Sequence, residues 1–515
     1  MSTIWLDGLA IEHRKTLEDI VRLFFPTAEV KHGQPQQDDQ LTSEREEDEP
    51  AGWLKMWEEE ACGYIAIEAE FSLVGYRGYR VVAHQRETLT APNQSDAANQ
   101  RKRVIRLCVL KTLTQATGKL PGPWGILTGI RPTKVVHRLI DEGYSAEDIL
   151  EIMTEDYAVS PAKARLLYEI ARRQRPFLLT PAQAERLVSV YIGIPFCPTR
   201  CLYCSFPGYP LARHRAWVEP FVTTLLKEIQ VIGEVLHTYD YAVQSIYLGG
   251  GTPTSLDIGQ LGQLLEKINH YLFSSATKEI TVEGGRPETL SNEKLSLLKG
   301  MGVNRLSINP QTMRDETLQT IGRAHSAEDI VQAVERARRV GFSTLNMDII
   351  IGLPGETVAD VQQTMKQIMK LAPENLTVHT MAIKRASRLK EELVAWKLPT
   401  EEEVGRMLEV TKTVAAEMEL VPYYLYRQKR ILANLENVGY AFPSHECLYN
   451  IQVMEERQTI VGLGAGAGSK WVSPADWTLI NTYNPKDPND YIKRINELLD
   501  KKKDMLHGLR RKPTH

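Results

Sequence analysis

A chain of 515 residues is too long for one hydrophobic core of ordinary size, so it is expected to hold several domains or one barrel with appendages. With 43% hydrophobic and 25% charged residues and no apolar run near the length of a bilayer crossing, it reads as globular, with no membrane span. A net charge of −3 speaks against nonspecific nucleic-acid binding by the whole chain, although one basic face remains compatible with it.

The opening "MSTIWLDGLAIEHRK" carries an acid at Asp7 and no long apolar stretch with a cleavage site, so no secretory signal is expected and the cytoplasm is the expected compartment. A helix-like run, "KTLEDIVRLFF", precedes the polar and acidic stretch Gly33–Gly52, which reads as a solvated loop. Strand-like segments follow in "GYIAIEAEFSLVGYRGYRVVAH", and the periodicity is helical from about Asn99 to Arg175. Residues 1–180 therefore form an N-terminal α/β region. Between Asp96 and Asp141 it holds no acid but many cations, Arg101, Lys102, Arg103, Arg106, Lys111, Lys119, Arg131, Lys134 and Arg138 among them. Such a stretch could hold RNA, as in a tRNA-modifying enzyme, or simply display the basic side of a helix to water.

From about Leu187 the pattern changes to short β-branched runs: "VSVYIGI", "SIYL", "EITVE", "VNRLSI", "TLNMDIII" and "NLTVHTMA". Helical candidates fill the gaps around Trp217–Leu236, Ile258–Tyr271, Asn292–Lys299, Ala327–Arg339 and Val358–Leu371. This alternation predicts a parallel sheet with right-handed crossovers, and six units rather than eight predict a partial (β/α)6 barrel over residues 187–385. Residues 386–515 read as a mixed C-terminal region ending in a basic tail.

Directly after the first of these strands stands "YIGIPFCPTRCLYCSFPGY". Of six cysteines, three cluster here (Cys197, Cys201, Cys204) and three are scattered (Cys62, Cys108, Cys447), which is no disulfide framework and points to metal or redox chemistry. A structural zinc would need a fourth donor such as His214 or Cys447. Three thiolates from one loop, with a position left open, fit better a 4Fe-4S cluster whose fourth iron takes an exchangeable ligand. Cys62 and Cys108 read as core, Cys447 as a loop thiol near His445, and His379 as the histidine most deserving of mutation.

"CPTRCLYC" after an apolar strand, followed one strand later by "YLGGGTPTSL", resembles the radical S-adenosylmethionine (radical SAM) enzymes. In them three such cysteines bind the cluster, and the segment matching Gly249–Gly251 touches the cofactor's methionyl amino group, which implicates Gly250. The acids and amides at strand ends, Glu283 in "ITVEGG", Gln311 in "LSINPQT" and Asp348 in "NMDIIIGLPGET", would be costly to bury unpaired. With Tyr191, Arg323, Ala382 and Gly468 in "GLGAGAGS", they resemble the oxygen-independent coproporphyrinogen III oxidase family. There the counterparts surround S-adenosylmethionine, and those of Tyr203, Gly251, Thr252, Gln311, Arg323, Asp348 and Ala382 lie near a second cofactor molecule. "TGIRPTK", "EGGRPET", "YLYRQKR" and "NLENVGYA" are similar to its HemZ branch, coproporphyrinogen dehydrogenase-like.

The resemblance implies radical oxidative decarboxylation of coproporphyrinogen III propionates to the vinyl groups of protoporphyrinogen IX. It also implies a flavodoxin- or ferredoxin-type electron donor; a monomer is expected. Two cationic runs suit the propionates: Lys384, Arg385, Arg388 and Lys390, and Arg427, Lys429 and Arg430. The sequence departs from the family at Phe206, where established enzymes carry a further cysteine, and at Gly193, where they carry a histidine. Phe206 is shared with the family's haem-chaperone branch, so haem binding without decarboxylation is the alternative.

Overall fold

The computed structural model describes residues 3–8, 13–34, 51–61, 64–75, 78–90, 97–206, 208–384, 387–391, 396–428 and 431–511. Cys62, Arg385, Lys429, Arg430 and most of the acidic Gly33–Gly52 stretch lie outside them. The chain divides between Glu169 and Ile170 into two compact units.

In the first unit five strands stand in the order Glu29–His32, Thr3–Asp7, Ala51–Ala61, Tyr64–Gly75, Gly78–Thr90, parallel among the first three and antiparallel thereafter. The helix Ala97–Thr117 packs on the last two strands, and Cys108 on it is fully buried, its thiol donating to the Ile67 carbonyl at 3.4 Å. Its basic residues meet acids of neighbouring elements. Arg101 pairs with Glu58, Arg103 with Asp156 at 2.6 Å and Lys111 with Glu87 at 2.7 Å. Much of the charge that suggested RNA is thus engaged within the unit.

The second unit is built on an eleven-stranded sheet. Its centre is six parallel strands, β1 (Leu187–Ile194), β2 (Ala242–Gly250), β3 (Glu279–Glu283), β4 (Arg305–Ser307), β5 (Leu345–Ile351) and β6 (Asn375–Thr380). Their β-branched residues are buried on both faces, as a sheet covered by crossover helices requires. The crossovers are α1 (Leu211–Thr238), α2 (Ile258–Tyr271), α3 (Asn292–Gly300), α4 (Ala327–Val340) and α5 (Val358–Leu371). Capping boxes start three of them, at Asp257 with Gln260, Ser326 with Asp329 and Thr357 with Asp360, so the local sequence specifies where each helix begins.

Strand β4 is shorter than "VNRLSI" predicts. After Ser307 the chain runs through Asn309 and Pro310, and Gln311 returns to β5 only as an isolated bridge to Ile349. Strands after Lys384 extend both edges of the same sheet. Val421–Tyr426 (β7) and Asn437–Ala441 (β8) add beyond β6. Thr459–Gly464 (β9) pairs in parallel with β1, followed outward by Gly468–Val472 (β10) and Leu479–Tyr483 (β11). β7 and β11 are free edges, so the sheet is an open, partial barrel. No helix among the described residues is long and apolar enough to cross a membrane.

Candidate active site

The carboxyl end of β1 turns directly into the cysteine loop. Gly251 N–H donates to Ile194 O at 2.7 Å and Thr252 N–H to Phe196 O at 2.8 Å, which ties the loop to the glycine turn after β2. Leu202 N–H donates to Ile321 O at 3.0 Å and Thr199 Oγ1 to Gly322 O at 2.8 Å, anchoring its other side. The glycines are required by close approach: a Cβ on Gly251 would stand 2.6 Å from Phe196 O and 2.9 Å from Cys197 Sγ.

Cys197, Cys201 and Cys204 line one cavity of about 490 Å³. Neither candidate fourth donor joins them there. His214 packs between Tyr209 and Trp217, and Cys447 is buried elsewhere, donating to Glu279 at 3.2 Å. Among the described residues no set of three or more His, Cys, Asp and Glu side chains is gathered as a single metal ion would need.

Two guanidiniums act on one of the three thiols, Cys201. Burial alone would raise the Cys201 thiol, but Arg323 and Arg286 outweigh it and the net shift is downward. Arg286 Nη2 lies 3.1 Å from Cys201 Sγ and donates to Thr199 O at 3.0 Å. Arg323 donates to the carbonyls of Gly285 and Asn309 and reaches Tyr203 Oη at 3.5 Å. Burial pushes Cys197 up to about 11 and also raises Cys204.

The strand-end polar groups line the same cavity. Tyr247 Oη donates to Glu283 at 2.7 Å, and burial pushes the Glu283 carboxyl up to about 7. Burial would raise Asp348 too, but His379, 3.6 Å away, and Asn346, donating at 2.8 Å, bring it below the ordinary carboxylate value. His379 Nδ1 in turn meets Tyr426 Oη at 3.0 Å. Gln311 sits at φ 69°, a conformation a non-glycine residue adopts at a cost, held by Asp348 O and Ile350 N–H. Its Oε1, Arg323 Nε and Arg286 Nη1 are buried without a hydrogen-bond partner in the protein, and all three residues line the cavity. Orphaned polar atoms around a cavity lined by three thiols fit a cluster together with a polar, charged cofactor.

Of the expected site residues, the three cysteines, Tyr203, Gly250, Gly251, Thr252, Glu283, Gln311, Arg323, Asp348 and Ala382 line this cavity. Tyr191 and Gly468 do not. Tyr191 stacks on Tyr247 and Tyr449, with ring centroids 6.2 and 6.0 Å away, and its hydroxyl lies 3.5 Å from where a Gly250 Cβ would be. Gly468 starts β10 and pairs with Tyr483. Gly193 has a structural reason: its Cβ would stand 2.9 Å from Ala465 O in the late glycine loop, leaving no room for an imidazole. Of the cationic runs, Lys384 lines the cavity, Arg388 and Lys390 are exposed, and Arg427 is buried against the carbonyls of Leu435 and Asn434. Arg286, Asn309, Tyr426, Gln428 and Asn450 line it without having been singled out. Arg286 carried a local signal as the arginine of "EGGRPET", three residues past Glu283, and Tyr426 and Gln428 lie within "YLYRQKR".

The carboxyl of Glu356, beyond β5, is also buried and pushed up to about 7, with Thr312 donating to it at 2.5 Å. The folded protein therefore holds a proton there that the unfolded chain releases near 4.5. Its contribution to stability, about 3 kcal/mol, is complete below that value and is lost as pH rises through 7. Protein without iron should melt at a lower temperature at pH 8 than at pH 5.5, and Glu356→Gln should flatten that decline. An unchanged pH dependence in the variant would remove Glu356 as its source.

Residues 191–368 match the model of the Radical SAM superfamily. The oxygen-independent coproporphyrinogen-III oxidase-like protein HemZ of Bacillus subtilis is 38% identical over 504 residues, covering 97% of each chain. The chain belongs to this coproporphyrinogen oxidase-like family of radical SAM proteins. Proteins of that superfamily use a 4Fe-4S cluster and S-adenosylmethionine. The haem chaperone HemW of Bacillus subtilis is 33% identical over 282 residues, 54% of this chain and 70% of that one. Among solved structures, coproporphyrinogen III oxidase HemN of Escherichia coli matches with 23% identity and a TM-score of 0.48, over 64% of this chain and 73% of that one.

Proposed function

We propose that the chain catalyses radical SAM oxidative decarboxylation of coproporphyrinogen III propionates to vinyl groups, giving protoporphyrinogen IX. The observation that carries the reading is one cavity lined by the three thiols and by Lys384, in a chain that aligns over 97% of its length with a coproporphyrinogen oxidase-like relative. When bound, cluster and cofactor supply one-electron chemistry able to remove hydrogen from an unactivated carbon.

The chain's own residues do the rest. Cys197, Cys201 and Cys204 hold the cluster. Glu283, Gln311, Arg323 and Asp348, with the Gly250–Thr252 turn, bind and orient one or two molecules of S-adenosylmethionine, with Tyr203 and Ala382 beside them and Tyr191 and Gly468 supporting from behind. Lys384 receives a propionate carboxylate; burial already lowers its affinity for a proton, so an anionic partner is favourable. Tyr247, Tyr424 and Met381 give the cavity apolar surface that excludes water. Electrons come from a flavodoxin- or ferredoxin-type donor in the cytoplasm, and the working form is a monomer.

Anaerobic reconstitution with iron and sulfide, then reduction with S-adenosylmethionine and coproporphyrinogen III, should yield 5′-deoxyadenosine and vinyl product together. Deoxyadenosine without vinyl product would discard the decarboxylation. Lys384→Glu should raise KM for the porphyrinogen at least tenfold with deoxyadenosine formation retained; an unchanged KM would take Lys384 out of substrate recognition.

A second reading, haem binding and delivery without decarboxylation, is favoured by Phe206, which is 66% exposed at the cavity where a further thiol would otherwise stand. The similarity to HemW accords with it. Tight haem binding by a protein that forms no vinyl product under these conditions would establish this reading instead.

A further inference from the structure

The guanidinium of Arg286 is nearly sealed from solvent, its side chain 4% exposed, and it lies between one sulfur-bearing neighbour, Cys201, and one acidic neighbour, Glu288. Nη2 sits 3.1 Å from Cys201 Sγ and 3.0 Å from Thr199 O; Nη1 faces Glu288 Oε1 at 3.9 Å, too far for a hydrogen bond. Glu288 is itself anchored, its other oxygen 2.8 Å from His325 Nδ1, and His325 is buried. A row of four side chains thus runs His325, Glu288, Arg286, Cys201. It starts on the segment before α4, passes through the turn after β3 and ends on the cysteine loop.

We propose that Arg286 sets the reduction potential of the cluster held by Cys201, with Glu288, itself placed by His325, moderating it from behind. The inference rests on the cluster reading of the three cysteines. Hydrogen bonds to ligand sulfur and net charge near a cluster are among the factors that set its potential. Reduction adds one electron to the cluster. A fixed cation donating to a ligand thiolate stabilises that added charge, so Arg286 raises the potential and eases electron entry. The Glu288 carboxylate, next in the row, offsets part of the same charge and lowers it. Arg323, the other guanidinium near Cys201, also acts on its thiol, but it is tied to the carbonyls of Gly285 and Asn309, and Arg286 makes the shortest described contact to the sulfur, 3.1 Å.

The experiment is an electron-paramagnetic-resonance redox titration of anaerobically reconstituted full-length protein, with iron and sulfide measured on the same samples. Arg286→Met should shift the reduced-to-oxidised ratio at fixed potential at least tenfold towards oxidised, a fall of 59 mV for one electron. Arg286→Lys should recover part of the shift. Glu288→Gln should move the potential the opposite way. A structural support for the loop would give no such opposition of sign. A loaded cluster whose potential moves less than twofold in Arg286→Met, or moves in the same direction in Arg286→Met and Glu288→Gln, overturns the proposal. Should Arg286→Met fail to hold iron, Glu288→Gln decides, and an unchanged potential there overturns it. Wild-type protein that takes up no cluster would instead sink the reading of the cysteines.

Discussion

Gly251→Ala is expected to empty the cysteine loop of iron, although the substitution adds a single methyl group. The Cβ would stand 2.6 Å from Phe196 O, 2.9 Å from Ile194 O and 2.9 Å from Cys197 Sγ. Two of these are backbone atoms that cannot rotate aside, and the Gly251 amide is bonded to that same Ile194 carbonyl at 2.7 Å. Relief must come from separating the turn after β2 from the start of the cysteine loop, which carries Cys197, and this displaces one ligand from the other two. Overpacking of this kind costs about 1–3 kcal/mol in fold stability, and the loss of ligand geometry is the larger effect. Iron in the reconstituted variant should fall from ~4 per chain to a small fraction, with helical content retained. Gly285→Ala is the control, since its Cβ would meet nothing nearer than 3.5 Å. Full iron loading in Gly251→Ala would show that the turn and the cysteine loop are not coupled as described.

Lys502→Met is expected to bring a large loss of stability at a position far from the cysteine loop in sequence. Glu228 on α1 is fully buried and accepts hydrogen bonds from Tyr491 Oη at 2.6 Å and Gly464 N–H at 2.7 Å. Lys502, 3.0 Å away on the last helix (Ile495–Arg511) and also buried, is its cation. Removing one member of a buried pair strands the other without water, at a cost of about 3 to 5 kcal/mol. The consequence reaches the sheet centre, because Gly464, at φ 85°, is the start of the glycine loop packed on Gly193 of β1. The urea midpoint should drop accordingly, and Lys502→Met combined with Glu228→Gln should recover part of it. A midpoint within experimental error of the wild type would mean that water reaches the pair and screens it.

The alternation of β-branched runs with amphipathic ones made the six parallel strands and their crossovers legible, because each element's period is a local property of its own residues. Helices at Ile258–Tyr271 and Val358–Leu371 are bounded as the pattern predicts, since capping side chains lie next to the residues they cap. The cysteine loop was legible for a related reason: its three thiols need only one short segment. Strand β4 was overestimated, because an asparagine and a proline past Ser307 break the ladder at a point apolar periodicity does not register. Arg427 and Lys384 looked alike as members of cationic runs, yet one is spent on backbone carbonyls and the other faces the cavity.

By itself, the sequence determined the order of strands and crossovers and the open-ended trio of thiols, along with the family they belong to, since all of these are written in contiguous stretches. Only the tertiary structure decided that Arg286 reaches Cys201 across 85 residues, that Glu228 and Lys502 meet inside the protein, and that Gly193 cannot carry a side chain. Those outcomes depend on which distant segments share one dry, close-packed space, where a few tenths of an ångström or one unpaired charge outweighs any local preference.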